Sequence, residues 1–174
     1  MMKNLKRRLR SKKGFTLAEV FIALLIMLMV SAVVAAGIPA ASKAYDKTVT
    51  AANAQTLLST TLSCLRDELA TASGVTCDGG EIRYNGGSGG KRVIYNGGDS
   101  APGIHLCEYL GVSETGRDRL LVSREVAGAN LRASYESVSY TNGVVTFTGI
   151  KVFNGSEEIA GIDSYSIKII SHIS

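Results

Sequence analysis

The longest apolar stretch of the chain runs from Val20 to Ile38, where nineteen residues follow one another without a charged side chain. At a rise of ~1.5 Å per residue, a helix of this length crosses most of the hydrocarbon core of a bilayer. We therefore predict a transmembrane segment over about 20–38. Glu19 directly precedes it. An unpaired acid in lipid costs on the order of 2.5 kcal/mol, so this carboxylate calls for a partner.

Two residues near the outer end of the apolar stretch weaken a helix locally. Gly37 adds backbone freedom, and Pro39 lacks the N–H that an interior helical residue donates. We predict a bend or a melted turn at this point. A kink where the helix leaves lipid explains the pair equally well.

The helical pattern continues beyond the proline as a single apolar stripe. It repeats every seven residues, with two further leucines four residues after members of the repeat; its positions are Ala44, Ala51, Leu58, Leu62, Leu65, Leu69 and Ala72. Ser73 and Gly74 follow as a helix stop. The pattern predicts one helix over 15–73. A domain of this size cannot bury such a helix, so its first half must contact lipid or other copies of the chain.

The composition changes at Gly74 to glycine, serine, threonine, tyrosine and β-branched residues. Asn-Gly and Asp-Gly turns separate short alternating runs, which predict strands over 81–84, 92–95, 104–109, 131–140, 144–153 and 159–170. The last three form a meander, and no strand is predicted over 111–130. The predicted fold is α+β: a long N-terminal transmembrane and assembly helix that packs through its C-terminal half on an antiparallel sheet, the head, over 74–174.

The charge is concentrated at the N-terminus. Residues 1–14 contain seven lysines or arginines and no acid, which by the positive-inside rule keeps this end in the cytoplasm and the C-terminus outside. The whole chain has a net charge of +4, but the residues after Gly14 contain 12 basic and 15 acidic side chains, a net of −3. The basicity of the chain therefore does not indicate nucleic-acid binding by the head.

The segment Lys13-Gly14-Phe15-Thr16-Leu17-Ala18-Glu19 and the apolar run behind it resemble the N-terminus of type IV prepilins and type II secretion pseudopilins. In that family a membrane peptidase cuts after the glycine, the new N-terminal residue is N-methylated, and the acid guides assembly into a helical fibre. The resemblance implies these roles for Gly14, Phe15 and Glu19. It also implies that residues 1–14 are a leader that is removed.

The chemistry of Phe15 and Glu19 is consistent with those roles. Cleavage would leave a cationic amine on Phe15, one helical turn from the carboxylate. The amine of one subunit could then meet Glu19 of its neighbour, which relieves two desolvation costs at one defined axial offset. In the alternative interpretation Glu19 lies at the headgroup boundary and needs no partner.

Three cysteines, Cys64, Cys77 and Cys107, would face an oxidising exterior. An odd number leaves at least one thiol unpaired, and the spacing allows three different bridges. A Cys77–Cys107 disulfide is slightly favoured, because both residues fall in the strand region. That all three are small buried side chains is about as well supported.

No catalytic, cofactor or metal site is predicted. His105 and His172 are far apart in sequence, and neither has a cysteine or carboxylate at ligand spacing. The glycine-rich stretches are typical of hairpin turns.

The sequence thus predicts a non-enzymatic structural subunit, a pilin or minor pilin, of a type IV pilus-like or pseudopilus fibre. Its expected partners are copies of itself or other pilins, a prepilin peptidase, a membrane assembly platform and the lipid bilayer. Its expected location is the cell membrane as a single-pass protein, then a surface fibre. One alternative is a pseudopilin of a secretion or DNA-uptake machine. Outside this class, the alternative is a membrane-anchored extracellular binding domain that does not polymerise.

Overall fold

The structure is a computed structural model that describes residues 15–87, 89–98, 100–109, 116–123 and 130–170. Residues 1–14, which are predicted to be a leader ending at Gly14, and His172 lie outside these residues. The chain divides into two compact units, Met1–Lys47 and Thr48–Ser174, which are considered separately. The α+β fold is confirmed: one long helix is followed by antiparallel sheets, and the C-terminal part of the helix packs on them.

Helix α1 extends from Leu17 to Ala70. The helix is continuous through Gly37 and Pro39, so the predicted melted turn is not observed. A bend at this point stays a prediction. The helix ends three residues before the predicted end at 73. Its last carbonyl, on Ala70, accepts a hydrogen bond from the N–H of Ile170, at 2.9 Å.

Gly74 is not the helix terminator that the sequence predicts. It lies in the first strand, with φ +59°, where the strand register shifts between Ser73 and Thr76. A Cβ on Gly74 would come within 3.0 Å of Asn85 Nδ2, so the bulge needs glycine for its backbone and for the space beside it.

The buried face of α1 within the second unit differs in part from the predicted stripe. Leu58, Leu65, Leu69 and Ala72 are buried as predicted, whereas Ala44 and Ala51 are exposed. The buried residues that the stripe missed are Ala54, Leu57 and Thr61. The buried residues of α1 begin at Ala54, so the repeat extends beyond the buried part of the helix.

The first sheet has five strands in chain order: β1 Ser73–Asp78, β2 Glu81–Asn85, β3 Lys91–Asn96, β4 Ile104–Tyr109 and β5 Gly116–Leu120. Consecutive strands pair antiparallel throughout this sheet. Strands β2, β3 and β4 are confirmed, but β1 and β5 were not predicted. Strand β5 has the sequence Gly-Arg-Asp-Arg-Leu, in which no apolar alternation marks a strand.

The remaining strands form a second sheet, so the single predicted sheet is two. These strands are β6 Leu131–Ser134, β7 Ser137–Thr141, β8 Val144–Asn154 and β9 Glu157–Lys168. Strand β8 pairs with β9 on one side and with both β6 and β7 on the other. The predicted strand over 131–140 is therefore wrong as one element, since it is interrupted at Tyr135 and Glu136.

Opposite this interruption, the alternation of buried and exposed side chains along β8 shifts by one residue. Val145 and Phe147 are buried before Gly149, and Ile150 and Val152 are buried after it, so the inward positions shift by one residue. Gly149 makes this shift possible with φ +64°, a conformation that other residues rarely adopt. A Cβ there would come within 2.5 Å of Glu136 Cδ. Both halves of β8 can thus contribute apolar residues to one core.

Tyr135, at the interruption, connects the two sheets. Its ring is buried and packs edge-on against Phe147, with the ring centroids 5.2 Å apart. Its hydroxyl donates a hydrogen bond to the carbonyl of Gly80 at 2.7 Å. The side-chain amide of Asn96 in β3 donates to the Tyr135 carbonyl at 2.5 Å and accepts from its N–H at 3.2 Å. These bonds satisfy backbone groups that the broken strand leaves without ladder partners.

Candidate functional site

The apolar part of α1 in the first unit is exposed in the described part of the chain. Among the described residues one helix is long and apolar enough to cross a membrane, and none of its most apolar eighteen-residue window is buried. Large apolar side chains point outward on every side, with Phe15, Leu17 and Leu28 more than 70% exposed. A helix that is apolar all round is typical of a membrane span or of the inside of an assembly.

The start of this helix is capped by Thr16. Its hydroxyl accepts a hydrogen bond from the backbone N–H of Glu19 at 3.3 Å, and its carbonyl accepts from the N–H groups of Glu19 and Val20. Thr16 and Glu19 therefore match the first and last positions of the Ser/Thr-x-x-Glu capping pattern. This cap was not predicted, although the spacing of Thr16 and Glu19 in the sequence indicates it. An acid in the first turn is also favoured by the helix dipole.

Phe15 and Glu19 lie on the same side of the helix start. Both line a shallow groove of about 320 Å³ whose other walls are apolar: Val20, Ala23, Leu24 and Met27. Within the described part of the chain, the Glu19 carboxylate has neither an ion pair nor a side-chain hydrogen bond. The structure thus brings together two of the three predicted motif residues, and the acid is unpaired among the described residues.

In the second unit, a cluster of charged side chains joins α1 to the first sheet. Glu68 of α1 accepts from the Arg92 guanidinium at 2.7 Å and from the Tyr84 hydroxyl at 3.2 Å. Arg92 also donates to Glu108, which holds the pKa of that carboxyl below its usual range. Burial, together with the charge of Glu68, raises the pKa of Tyr84. Since each charge is paired and half-buried, this cluster is an anchor for the helix.

His105 is buried on the face of the first sheet opposite to the face that carries Arg92 and Glu108. Its Nδ1 lies 3.1 Å from the Asp118 carboxylate, its Nε2 lies 2.9 Å from the Ala101 carbonyl, and its ring stacks on Tyr95. Burial and a hydrogen bond to Asp118 raise the pKa of Tyr95 to about 12. Sequence spacing did not show this carboxylate, which β4–β5 pairing brings to the histidine. No group of three potential metal ligands occurs among the described residues.

The three cysteines are free, so the favoured Cys77–Cys107 disulfide is not formed. Cys77 lies in β1 and Cys107 in β4, with β2 and β3 between them. Neighbouring strands are ~4.8 Å apart, so three strand spacings exceed the reach of a disulfide. Burial raises the pKa of the Cys77 thiol, as expected for an unreactive, partly buried side chain.

The arrangement of a long apolar N-terminal helix whose C-terminal part packs on antiparallel sheets is pilin-like. No protein-family model, curated protein or solved structure matches the chain. Function must therefore be argued from the residues themselves.

Proposed function

We propose that this protein is a structural subunit, a pilin or minor pilin, of a type IV pilus-like or pseudopilus fibre. The observation that carries the proposal is the uncovered apolar helix, with an open carboxylate beside Phe15 at its start. The Lys13–Glu19 motif and the pilin-like architecture support the same role. The role is non-enzymatic.

The apolar helix needs an external cover for energetic reasons. Fifteen large apolar residues between Phe15 and Ile38 are exposed. Burying one such side chain contributes ~1.5–3 kcal/mol, so covering them all is worth on the order of 20 kcal/mol or more. Before assembly a lipid bilayer is the cover that we propose, with the basic leader in the cytoplasm and the head outside. Afterwards, the helices of neighbouring subunits take over.

Glu19 provides specificity in this scheme. Apolar helices can slide along one another with little change in buried area, so contact alone does not fix an axial offset. A prepilin peptidase acting after Gly14 would create a cationic amine on Phe15. Pairing with the carboxylate of a neighbour then holds one offset, because any other leaves two charges unpaired in a low dielectric. A membrane assembly platform is the partner expected to bring subunits together.

The test is the substitution Glu19→Gln in the native host. It preserves size and hydrogen bonding but removes the charge, so insertion and leader cleavage should be unchanged. We expect the protein in the sheared fibre fraction to fall at least tenfold relative to the membrane fraction, measured by immunoblot. N-terminal mass spectrometry should show a mature chain that begins at Phe15 in both proteins.

Asp46→Asn is the matched control, because Asp46 is an exposed acid of the same helix outside the apolar stretch. It should enter fibres like the wild type. Equal amounts of Glu19→Gln and wild type in sheared fibres would contradict the pairing role. A wild type that never leaves the membrane while the host makes fibres would instead favour a solitary membrane-anchored domain.

A further inference from the structure

His105 has both of its ring nitrogens next to atoms that accept hydrogen bonds. Nδ1 lies 3.1 Å from each oxygen of the Asp118 carboxylate, and Nε2 lies 2.9 Å from the carbonyl oxygen of Ala101. A neutral imidazole carries one N–H, so it can donate to only one of these two partners. The side chain of His105 is 8% exposed, so water has little access to compensate for the other contact. A ring with a proton on each nitrogen satisfies both.

The Ala101 carbonyl belongs to the turn between β3 and β4, which we call the 97–103 turn and which is described except at residue 99. The Gly97 N–H donates to the Gly103 carbonyl at 2.7 Å, and the Ala101 N–H donates to the Gly98 carbonyl at 3.0 Å. A Cβ on Gly97 would come within 2.8 Å of the imidazole, so the turn lies directly against the ring. The contact between Nε2 and Ala101 therefore fixes the turn to the first sheet.

The titratable groups around the imidazole come from β3, β5 and its own strand. Asp118 of β5 faces Nδ1, and Tyr95 of β3 stacks on the ring with the centroids 5.4 Å apart. Burial and a hydrogen bond to Asp118 raise the pKa of Tyr95 to about 12, so this hydroxyl stays neutral. Cys107 is the next residue on the same face of β4, and Glu81 of β2 acts on Tyr95. The described residues of the 97–103 turn carry no titratable side chain.

Loss of one proton from the ring affects its two contacts unequally. A hydrogen bond to an ionised carboxylate is stronger than one to a neutral carbonyl, so the remaining proton stays on Nδ1, opposite Asp118. The proton on Nε2 passes to water, and the lone pair that it leaves then faces the Ala101 carbonyl oxygen. Two acceptors at this distance repel each other. Histidine is the side chain that ordinarily changes its charge between about pH 5 and pH 8.

We propose that His105 is a pH-sensitive switch for the 97–103 turn: the doubly protonated imidazole holds the turn on the first sheet, and loss of the Nε2 proton releases it. The turn is held in acid and opens as the pH rises through the titration of the ring. Pro102 and Gly103 also line a cleft of about 220 Å³ beside α1, so release of the turn moves one wall of that cleft. The switch lies within the second unit and is independent of the proposed fibre role.

Amide hydrogen exchange, followed by NMR on the full-length protein in lipid nanodiscs, tests the proposal. Protection factors are compared, because they remove the intrinsic pH dependence of exchange. Between about pH 5 and pH 8, the amides of Gly97 and Ala101 should lose protection about tenfold or more, since a hydrogen bond that holds the turn is lost. Gly86 and Gly89 are the internal control, because their N–H groups are bonded within the β2–β3 turn at 2.9 and 2.8 Å. Their protection should not change.

The protonation of the ring is measured directly from its ¹⁵N shifts. His172→Gln serves as the background, because it leaves one imidazole in the chain. Both ring nitrogens of His105 should carry a proton at about pH 5, and only Nδ1 should carry one at about pH 8. Loss of the second proton and loss of turn protection should occur over the same pH range.

Three variants make the result specific. His105→Gln should show no pH dependence of turn protection. In Asp118→Asn the new amide can donate to Nδ1, so a neutral ring can keep its Nε2 proton for Ala101, and protection should stay high at about pH 8. Tyr95→Phe retains both contacts of the imidazole, and it should retain the pH dependence of the wild type.

Several outcomes would overturn the proposal. Equal protection of Gly97 and Ala101 in acid and in base would show that the turn does not respond to pH. A parallel loss of protection at Gly86 would show a general loosening of the head. A His105 ring with a single proton at about pH 5, or a turn that still responds to pH in His105→Gln, would also contradict it. So would an Asp118→Asn turn that opens at high pH as in the wild type.

Discussion

The two parts of helix α1 face different environments, although they belong to one continuous element. Over 17–38 the helix is apolar in nearly every direction and its large side chains are exposed. Over 48–70 one face is buried against the sheets and the rest is polar. A helix that packs on a domain through one face needs only one apolar stripe. A helix that is apolar on all faces is typical of a lipid environment or of a helix bundle.

The largest expected effect is a difference in the loss of folding free energy between two leucine-to-alanine substitutions in this helix. Leu65 is fully buried, so Leu65→Ala should lower the free energy of unfolding of the head by ~2–5 kcal/mol. Leu25 is 59% exposed, so Leu25→Ala should change it by less than ~0.5 kcal/mol. Thermal unfolding in nanodiscs, followed by near-UV circular dichroism, measures both. Equal losses from the two substitutions would break the comparison.

The next prediction concerns how the C-terminal part of the helix is fixed to the first sheet. The Arg92 guanidinium lowers the pKa of Glu108 from its ordinary value of 4.5. Since the pKa is lower in the folded state, this carboxylate contributes stability at pH values above about 4.5, which is lost as the pH falls through its folded pKa. We expect wild-type melting temperature to drop in acid, and Glu108→Gln to drop less.

The curves of the wild type and Glu108→Gln should converge at low pH, where the carboxylate of the wild type is protonated. Arg117→Gln is the control, because Arg117 is only a minor cause of the lowered pKa. Its acid profile should stay closest to the wild type. Parallel profiles for wild type and Glu108→Gln would show that this ion pair does not stabilise the head.

The smallest effect is expected where the two sheets meet, away from the helix. Tyr135→Phe removes the hydroxyl that bonds the Gly80 carbonyl, and it should cost ~1 kcal/mol of folding free energy. Tyr140→Phe is the control, because Tyr140 is 39% exposed; it should change stability by less than ~0.5 kcal/mol. Chemical denaturation resolves the difference, and a larger effect at Tyr140 would count against the role of Tyr135.

The parts of the fold that could be predicted from sequence are those with a local cause. The apolar run around Leu28 predicts the exposed helix, and Asn142-Gly143 predicts a two-residue hairpin, in which both residues have positive φ. Strand β5 could not be predicted, because its charged side chains carry no period of two and only pairing with β4 defines it.

The same distinction applies to the sites. Phe15 lies just before the helix and Glu19 in its first turn, so their closeness followed from their spacing in the sequence. The Asp118 partner of His105, the Arg92 partner of Glu68 and the shift of alternation at Gly149 depend on contacts between separate elements.

The order of the strands also affects how the head folds while the chain is being synthesised. Strands β2 to β5 each pair with the strand just before them, so the first sheet can grow in the order in which the chain is synthesised, through short loop closures. The second sheet cannot start in this way, because β6 and β7 both pair with β8 and not with each other. A chain interrupted before Val144 would therefore hold its first sheet and lack its second, which makes β8 the step that commits the whole head to its native state.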